Sequence, residues 1–446
     1  MRIIIAGAGD LGFHLSKLLV QEEQDIILID EVADVLEHAS GHLDVQTIKG
    51  SSTSPRVLEE ANVGKADLLI AVTSNQDTNI TTCIIGKRLG AKKTIARVSN
   101  IEYIHQRDKL DLKRAGIDDI VSPQSLAAKE IKRLLKESAM TDSFEFDKGL
   151  LTLMGVSVDD MSQLKGKTIQ ETAYLNPDNN FIVVAILRNN ETIIPHGQHK
   201  FELHDHAYFI AQPDGIESVM SLAGKERFEI KNVAILGGTS VGVHTAIQLS
   251  KKYKIKLIER NKEKCMKLAE QLPDTMIING DGRDVDLLKE EGIANMDAFI
   301  AVTGNSETNI ISCLSVKNLG VRKTISLVEN MDYIHLSQNI GVDTLINKKL
   351  IAANFIFRHI REGEVLNLTS IHGVDAEVLE FEVKENSKIL GKELRKLGFP
   401  KTAVVGGVMR KGLGYTVRGD FTFEPKDRVV VLSRPECIHK IERYFK

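Results

Sequence analysis

Ile3-Ile4-Ile5-Ala6-Gly7-Ala8-Gly9-Asp10-Leu11-Gly12 is the stretch on which the reading of this chain turns. A β-branched run from Arg2 to Ala6 reads as a strand, and it passes directly into Gly-x-Gly-x-x-Gly and then into a helical pattern through Leu19. In that setting each glycine has its own task. Gly7 permits the tight turn, Gly9 lets backbone approach a pyrophosphate at the helix N-terminus, and Gly12 lets the helix lie close on the strand. Asp30 follows Gly12 by 18 residues and ends a second strand, Asp25 to Ile29. A carboxylate there can accept hydrogen bonds from adenosine ribose hydroxyls and would repel a 2′-phosphate. A glycine-rich turn that holds no ligand is the competing reading.

Outward from this motif, strands and helices alternate. Candidate strands are Val45 to Lys49, Leu68 to Val72 and Thr94 to Val98, with a helix near Val32 to Ala39, and the alternation predicts an α/β doubly wound parallel sheet. Polar Ser74 to Thr78 then lies at the carboxyl edge, where such sheets bind ligands. From about residue 145 the pattern changes to Leu150 to Val158, a short helix after Lys167, Phe181 to Arg188, a turn at Asn189-Asn190, Thr192 to Pro195, and Ala207 to Ala211. That is a small α+β module.

The whole arrangement is written twice. Ala71-Val-Thr-Ser-Asn-Gln-Asp-Thr-Asn-Ile80 recurs 230 residues later as Ala301-Val-Thr-Gly-Asn-Ser-Glu-Thr-Asn-Ile310, with seven of ten positions identical. Cys83 pairs with Cys313, Gly90 with Gly320, Tyr103-Ile104-His105 with Tyr333-Ile334-His335, and, after a short deletion, Gly166-Lys167 with Gly391-Lys392. Length alone suggests about three domains, but the duplication predicts four. These are Rossmann-like units at 1–135 and 231–360, each followed by a small module at 136–230 and 361–446. Leu126, Ile131, Leu134 and Leu135 lie on a helix joining two of these parts, and either core or interface would account for them.

Composition narrows the function classes. With 42% hydrophobic and 27% charged residues the 446-residue chain has ordinary globular composition. Its net charge of −3 offers no field for nucleic acid. Cys83, Cys265, Cys313 and Cys437 form no Cys-x-x-Cys pair, which points away from disulfides and zinc. Apolar runs such as Phe181 to Leu187 fall short of the ~18 residues that read as a membrane span, and no secretory leader is expected. Catalytic residues are not expected either: Tyr103 is followed four residues on by Arg107 and Tyr333 by Ser337, so a Tyr/Lys pair is absent. Gly166-Lys167-Thr168 reads as a helix start, and His196, His199, His204 and His206 read as a solvated hairpin without metal.

The second copy of the phosphate motif is Gly237-Gly238-Thr239-Ser240-Val241-Gly242, with Glu259 ending its second strand. Thr239 replaces the middle glycine, and its side chain would intrude where phosphate must approach. Two readings stay open: a second nucleotide site, or a half that kept the fold and lost the ligand.

The duplicated motifs, with Gly50-Ser51-Ser52, Ala71-Val-Thr-Ser74, Ala96-Arg97-Val98, Gly166-Lys167 and Phe181 to Arg188, resemble the tandem RCK (KTN) regulatory subunits of Trk potassium-uptake systems along the whole chain. The resemblance implies NAD(H) binding in the Rossmann-like units, with ATP or ADP as further ligands of the first. It places phosphates at Gly7, Ala8, Gly9, Asp10 and Leu11, ribose at Asp30, the adenosine side at Ser51, Thr73 and Ser74, and distal phosphates at Arg97. The second-half counterparts are Gly237, Gly238, Thr239, Ser240, Val241, Glu259, Asp281 and Thr303, with Leu327 standing in place of Arg97. It further implies a homotetramer supplying eight RCK units, a Trk-type membrane potassium transporter as partner, and a cytoplasmic place on the inner face of the membrane through that partner. A tandem NAD-dependent oxidoreductase and a stand-alone NAD redox sensor are the alternative functions.

Overall fold

The first sheet consists of β1 (Arg2–Ala6), β2 (Asp25–Asp30), β3 (Gln46–Lys49), β4 (Leu68–Ala71), β5 (Lys93–Arg97) and β6 (Asp119–Val121), with the apolar runs of β1, β2 and β4 buried on both faces and β3 a mostly exposed edge. All pairings are parallel and the order is β3-β2-β1-β4-β5-β6, the doubly wound topology that the alternation predicts. The computed structural model describes residues 1–446 except 21, 23, 137–139, 141–142, 190, 227, 331–340, 361–366 and 372–373. Tyr333, His335 and Ser337 therefore lie outside the described residues, as does Asn190 of the expected turn.

Contacts group the chain into two units, Met1–Ala127 with Asn347–Ile360, and Ala128–Ile346 with Arg361–Lys446. In the first, Ile4, Ile27, Ile29, Leu58 and Leu69 fill one face of the sheet. Further along the same face Ala71, Ala96 and Val98 meet Cys83 of helix Gln76–Arg88. This helix starts inside the segment read as a polar loop, because Asn75 caps it: its Oδ1 accepts from the amides of Asp77 (2.8 Å) and Thr78 (2.9 Å). Helix Lys348–Ile360, which follows the last strand of the second parallel sheet, packs along helix Asp10–Val20. Leu11, Leu15 and Leu19 are buried on one helix, and Ala352, Ala353, Ile356 and Phe357 on the other. The unit thus borrows a helix from the second half of the chain.

The second unit holds three sheets. β7 (Ser143–Phe146), β8 (Leu151–Ser157), β9 (Phe181–Arg188), β10 (Glu191–Ile193) and β11 (His206–Ala211) form an antiparallel sheet in the order β10-β9-β11-β8-β7. β12 (Asn232–Leu236), β13 (Lys254–Glu259), β14 (Thr275–Asn279), β15 (Ala298–Ala301), β16 (Lys323–Leu327) and β17 (Thr344–Ile346) repeat the parallel topology. β18 (Asn367–Ser370), β19 (Glu377–Glu382), β20 (Ala403–Arg410), β21 (Leu413–Tyr415) and β22 (Arg428–Ser433) repeat the antiparallel one.

The two antiparallel sheets share a core, in which Leu151, Leu153, Tyr208 and Ile210 pack with Val378, Met409, Val430 and Leu432. Gly406 makes this approach possible, since a Cβ there would stand 2.1 Å from Ile210 Cδ1. Each sheet is pinned by a bidentate pair at matching positions, Arg188 with Asp205 (2.8 and 2.8 Å) and Arg410 with Asp427 (2.7 and 2.7 Å). Thr168 caps helix Ile169–Thr172 through a capping box with Glu171, so the Gly-Lys-Thr string is a helix start. Ile131, Leu134 and Leu135 of helix Pro123–Lys136 are buried, which makes them core, while Leu126 is half-buried. Among the described residues no helix is long and apolar enough to cross a membrane.

Candidate functional site

A cleft of about 520 Å³ opens at the carboxyl edge of the first parallel sheet, beside the neighbouring strands β1 and β4, where the strand order reverses direction. Parallel strands that end together leave their loops and helix N-termini facing one crevice. Gly7, Gly9, Asp10, Leu11, Asp30, Ser51, Thr73, Ser74 and Arg97 all line it, so nine of the ten residues expected for the first site converge. The tenth, Ala8, lies behind the loop and donates its amide to Asp30 Oδ2 at 2.7 Å.

The glycines divide by what they face. Gly7 has φ +106°, and a Cβ there would stand 2.8 Å from the Thr73 amide nitrogen. A Cβ on Gly12 would sit 1.8 Å from the Gly7 carbonyl oxygen. Both are required by the protein itself. Gly9 is different, because a Cβ there would meet nothing within 4 Å. The fold does not need Gly9, but an anion settling on the first turn of helix Asp10–Val20 would.

Asp30 holds the loop as well as facing the cleft. Its Oδ1 accepts from the Val32 amide (3.0 Å) while Oδ2 takes Ala8, which leaves lone pairs on both oxygens for hydroxyls. On the β4 side, Thr73 is tied by its amide (2.8 Å) and hydroxyl (2.7 Å) to Asn79 Oδ1, and Asn79 Nδ2 donates to the Arg97 carbonyl (3.0 Å). Arg97 reaches the cleft half-buried, and burial lowers its pKa. Its guanidinium stands 3.5 Å from the Val72 carbonyl, and no described carboxylate pairs with it. A cation in that position favours an anionic visitor.

The second cleft, of about 510 Å³, is lined by Gly237, Thr239, Glu259, Asp281 and Thr303. Gly238, Ser240 and Val241 do not line it. Gly238 donates its amide to Glu259 Oε2 (3.0 Å), Ser240 opens the helix, and Val241 is buried. Thr239 turns inward: its hydroxyl donates to the Val302 carbonyl (2.6 Å) and accepts from the Gly242 amide (3.3 Å). It closes with its own side chain an amide that Gly9 leaves open. Burial alone would raise the Glu259 pKa, but the Asn261 amide and the Lys264 ammonium (3.0 Å) bring it below the usual range. Arg283 clamps Asp281 (3.0 and 2.7 Å) and lowers its pKa to about 2. Leu327, in the place of Arg97, is buried.

Sequence reading missed the asparagines that build these edges. Asn75 with Asn79, and Asn305 with Asn309, lie within the repeated decapeptide, so the duplication itself was their signal. Pro123, Lys348 and Lys349 also line the first cleft, and nothing near the glycine motif signals the two lysines.

The chain matches the TrkA-N domain family over residues 3–123 and 233–348, and the TrkA-C domain family over 153–224 and 378–446. It is 33% identical to Trk system potassium uptake protein TrkA homolog 1 of Methanosarcina mazei, with both chains covered in full. To the Trk system potassium uptake protein TrkA of Haemophilus influenzae it is 32% identical over 100% of this chain and 99% of that one. In fold it is similar to the GsuK RCK domain, with a TM-score of 0.60, 17% identity, and 100% and 94% of the two chains covered. The GsuK channel bound to NAD gives 0.59 at 16% identity, covering 100% and 78%. Two Rossmann-like sheets, two small antiparallel modules and these matches along the full length agree: the chain belongs to the TrkA family of Trk potassium-uptake proteins, with its TrkA-N and TrkA-C domains in tandem.

Proposed function

We propose that this protein is a nucleotide-responsive regulatory subunit that binds the cytoplasmic side of a Trk-type membrane potassium transporter and couples ligand state to gating. The observation that carries the reading is the first cleft, where Gly9 keeps a helix N-terminus clear and Arg97 brings a cation that no described carboxylate balances. The residues fit an adenine dinucleotide or nucleotide. Gly7 to Leu11 would hold phosphate, Asp30 the ribose hydroxyls, Ser51, Thr73 and Ser74 the adenosine side, and Arg97 the distal phosphates. NAD(H) is the ligand proposed for both halves, with ATP or ADP also at the first. At the second cleft, inward Thr239 and the ion pairs of Glu259 and Asp281 favour weak occupancy.

In this reading 1–135 and 231–360 are nucleotide-binding domains, 136–230 and 361–446 are C-terminal subdomains, and four chains form the working ring. The action is conformational rather than catalytic, and a ligand shifts a two-state equilibrium only by its differential affinity for the two states. The names of the full-length relatives supply the transport context. The test is potassium flux through the cognate transporter in liposomes with this protein and ATP, ADP, NADH or no nucleotide. Nucleotide-dependent flux is expected, and identical flux in all four conditions overturns the proposal.

A further inference from the structure

The first cleft contains two residues that its own half of the chain does not supply. Lys348 and Lys349 open helix Lys348–Ile360 and line the cleft from its rim. Asn347 fixes their place, its Oδ1 accepting from the amides of Lys349 (2.9 Å) and Leu350 (3.1 Å). Lysines in the first turn of a helix stand against the positive end of its dipole, and that turn contains no acidic residue to offset them. The homologous helix Pro123–Lys136 begins instead with Pro123-Gln124, which has no charge. The lysines are thus a specific addition to one copy, made where the local helix disfavours them.

The charges lining the cleft show what they accomplish. Asp10, Asp30 and Glu31 are the acids, and Arg97, Lys348 and Lys349 the bases. Without the two lysines the lining would contain three carboxylates against one guanidinium and would repel a polyphosphate; with them it is balanced before any phosphate arrives. Lys349 forms an ion pair with Asp10, whose carboxylate is mostly exposed at the start of helix Asp10–Val20. A phosphate held on that helix N-terminus would compete with Asp10 for the ammonium, because a multiply charged oxyanion attracts it more strongly than a single carboxylate does.

We propose that Lys348 and Lys349 grip the terminal phosphate of a nucleoside triphosphate bound in the first cleft, so that the second half of the chain reads the length of the phosphate tail in the site of the first. This rests on the nucleotide reading of the cleft. Three elements suited to anions then line one crevice: the Gly9 turn, Arg97 and the lysine pair.

Calorimetry on the full chain with ATP, ADP and AMP tests it, comparing wild type with Lys348→Gln/Lys349→Gln and Lys348→Arg/Lys349→Arg. The glutamine pair is expected to weaken ATP by about tenfold or more while AMP stays within about twofold, and the arginine pair to retain the ATP preference. ATP affinity unchanged in the glutamine pair, or AMP weakened as much as ATP, overturns the assignment of the lysines and leaves the nucleotide reading standing. A wild-type chain that binds none of the three nucleotides overturns both.

Discussion

Gly9 and Gly12 belong to one motif and answer to different masters. A side chain on Gly12 collides with the Gly7 carbonyl, whereas one on Gly9 enters open cleft. Gly9→Val is therefore expected to keep the melting temperature within a few degrees and to weaken adenine-nucleotide binding about a hundredfold, equivalent to two charged hydrogen bonds at about 1.5 kcal/mol each. Calorimetry of the folded variant decides, and undiminished affinity would falsify the assignment of this turn. Arg97 is the complementary case, a half-buried cation without a described carboxylate partner. Arg97→Ala should leave thermal stability unchanged or raised and should weaken ATP about 10- to 100-fold, the range for a hydrogen bond to a charged group. Loss of stability with no change in ATP affinity would show Arg97 to be structural. Gly9 was legible from spacing, because the strand and the turn place it, whereas Arg97 was indicated only by the resemblance to tandem RCK proteins. Lys348 and Lys349 were signalled by neither, because their role depends on a helix more than 300 residues from the motif along the chain.

At the scale of elements, the same polar tie fastens the helix after the fourth strand in each parallel sheet. Asp118 Oδ2 accepts from Lys87 Nζ (2.7 Å), the Thr94 amide (2.8 Å) and the Thr94 hydroxyl (3.2 Å), and Asp343 does the same with Lys317 and Thr324. Asp118→Ala is expected to cost about 2–3 kcal/mol, since it strips three donors, one of them charged, of a partly buried acceptor. Chemical denaturation reads this directly, and a change below about 0.5 kcal/mol would mean that water replaces the carboxylate.

His14, on the helix that receives Lys348–Ile360, has its pKa lowered from 6.5 to about 4 by burial first and by Lys17 second. The unfolded chain therefore binds the proton first as pH falls from about 6.5 to about 4, and stability held above that window is lost across it. His14→Gln should flatten this part of the melting-temperature profile, and an unaltered slope would assign it to other groups. The strands were legible as alternating apolar runs. Helix Gln76–Arg88 was not, because its first turn is polar and only the Asn75 cap marks its start.

For the whole molecule, duplication is more than repetition of a fold. Helix Lys348–Ile360 leaves the second half to cover Leu11, Leu15 and Leu19 in the first unit. A chain cut to residues 1–230 would expose that face while keeping its own homologous helix Pro123–Lys136. It should pair with a second copy and exchange helices, appearing as a dimer in light scattering at micromolar concentration; a stable monomer would mean that the borrowed helix is dispensable.

The sequence by itself determined the tandem plan, the two sheet types and the first glycine turn. Each of these rests on local periodicity, on glycine geometry or on identity between the copies. Only the tertiary structure decided that Thr239 turns inward to cap its helix, that Lys264 and Arg283 neutralise the second site's acids, and that the first site's rim is built from the second half. Rotamer direction, ion pairing and the exchange of a helix depend on which residues meet in space, and spacing along the chain does not contain that information.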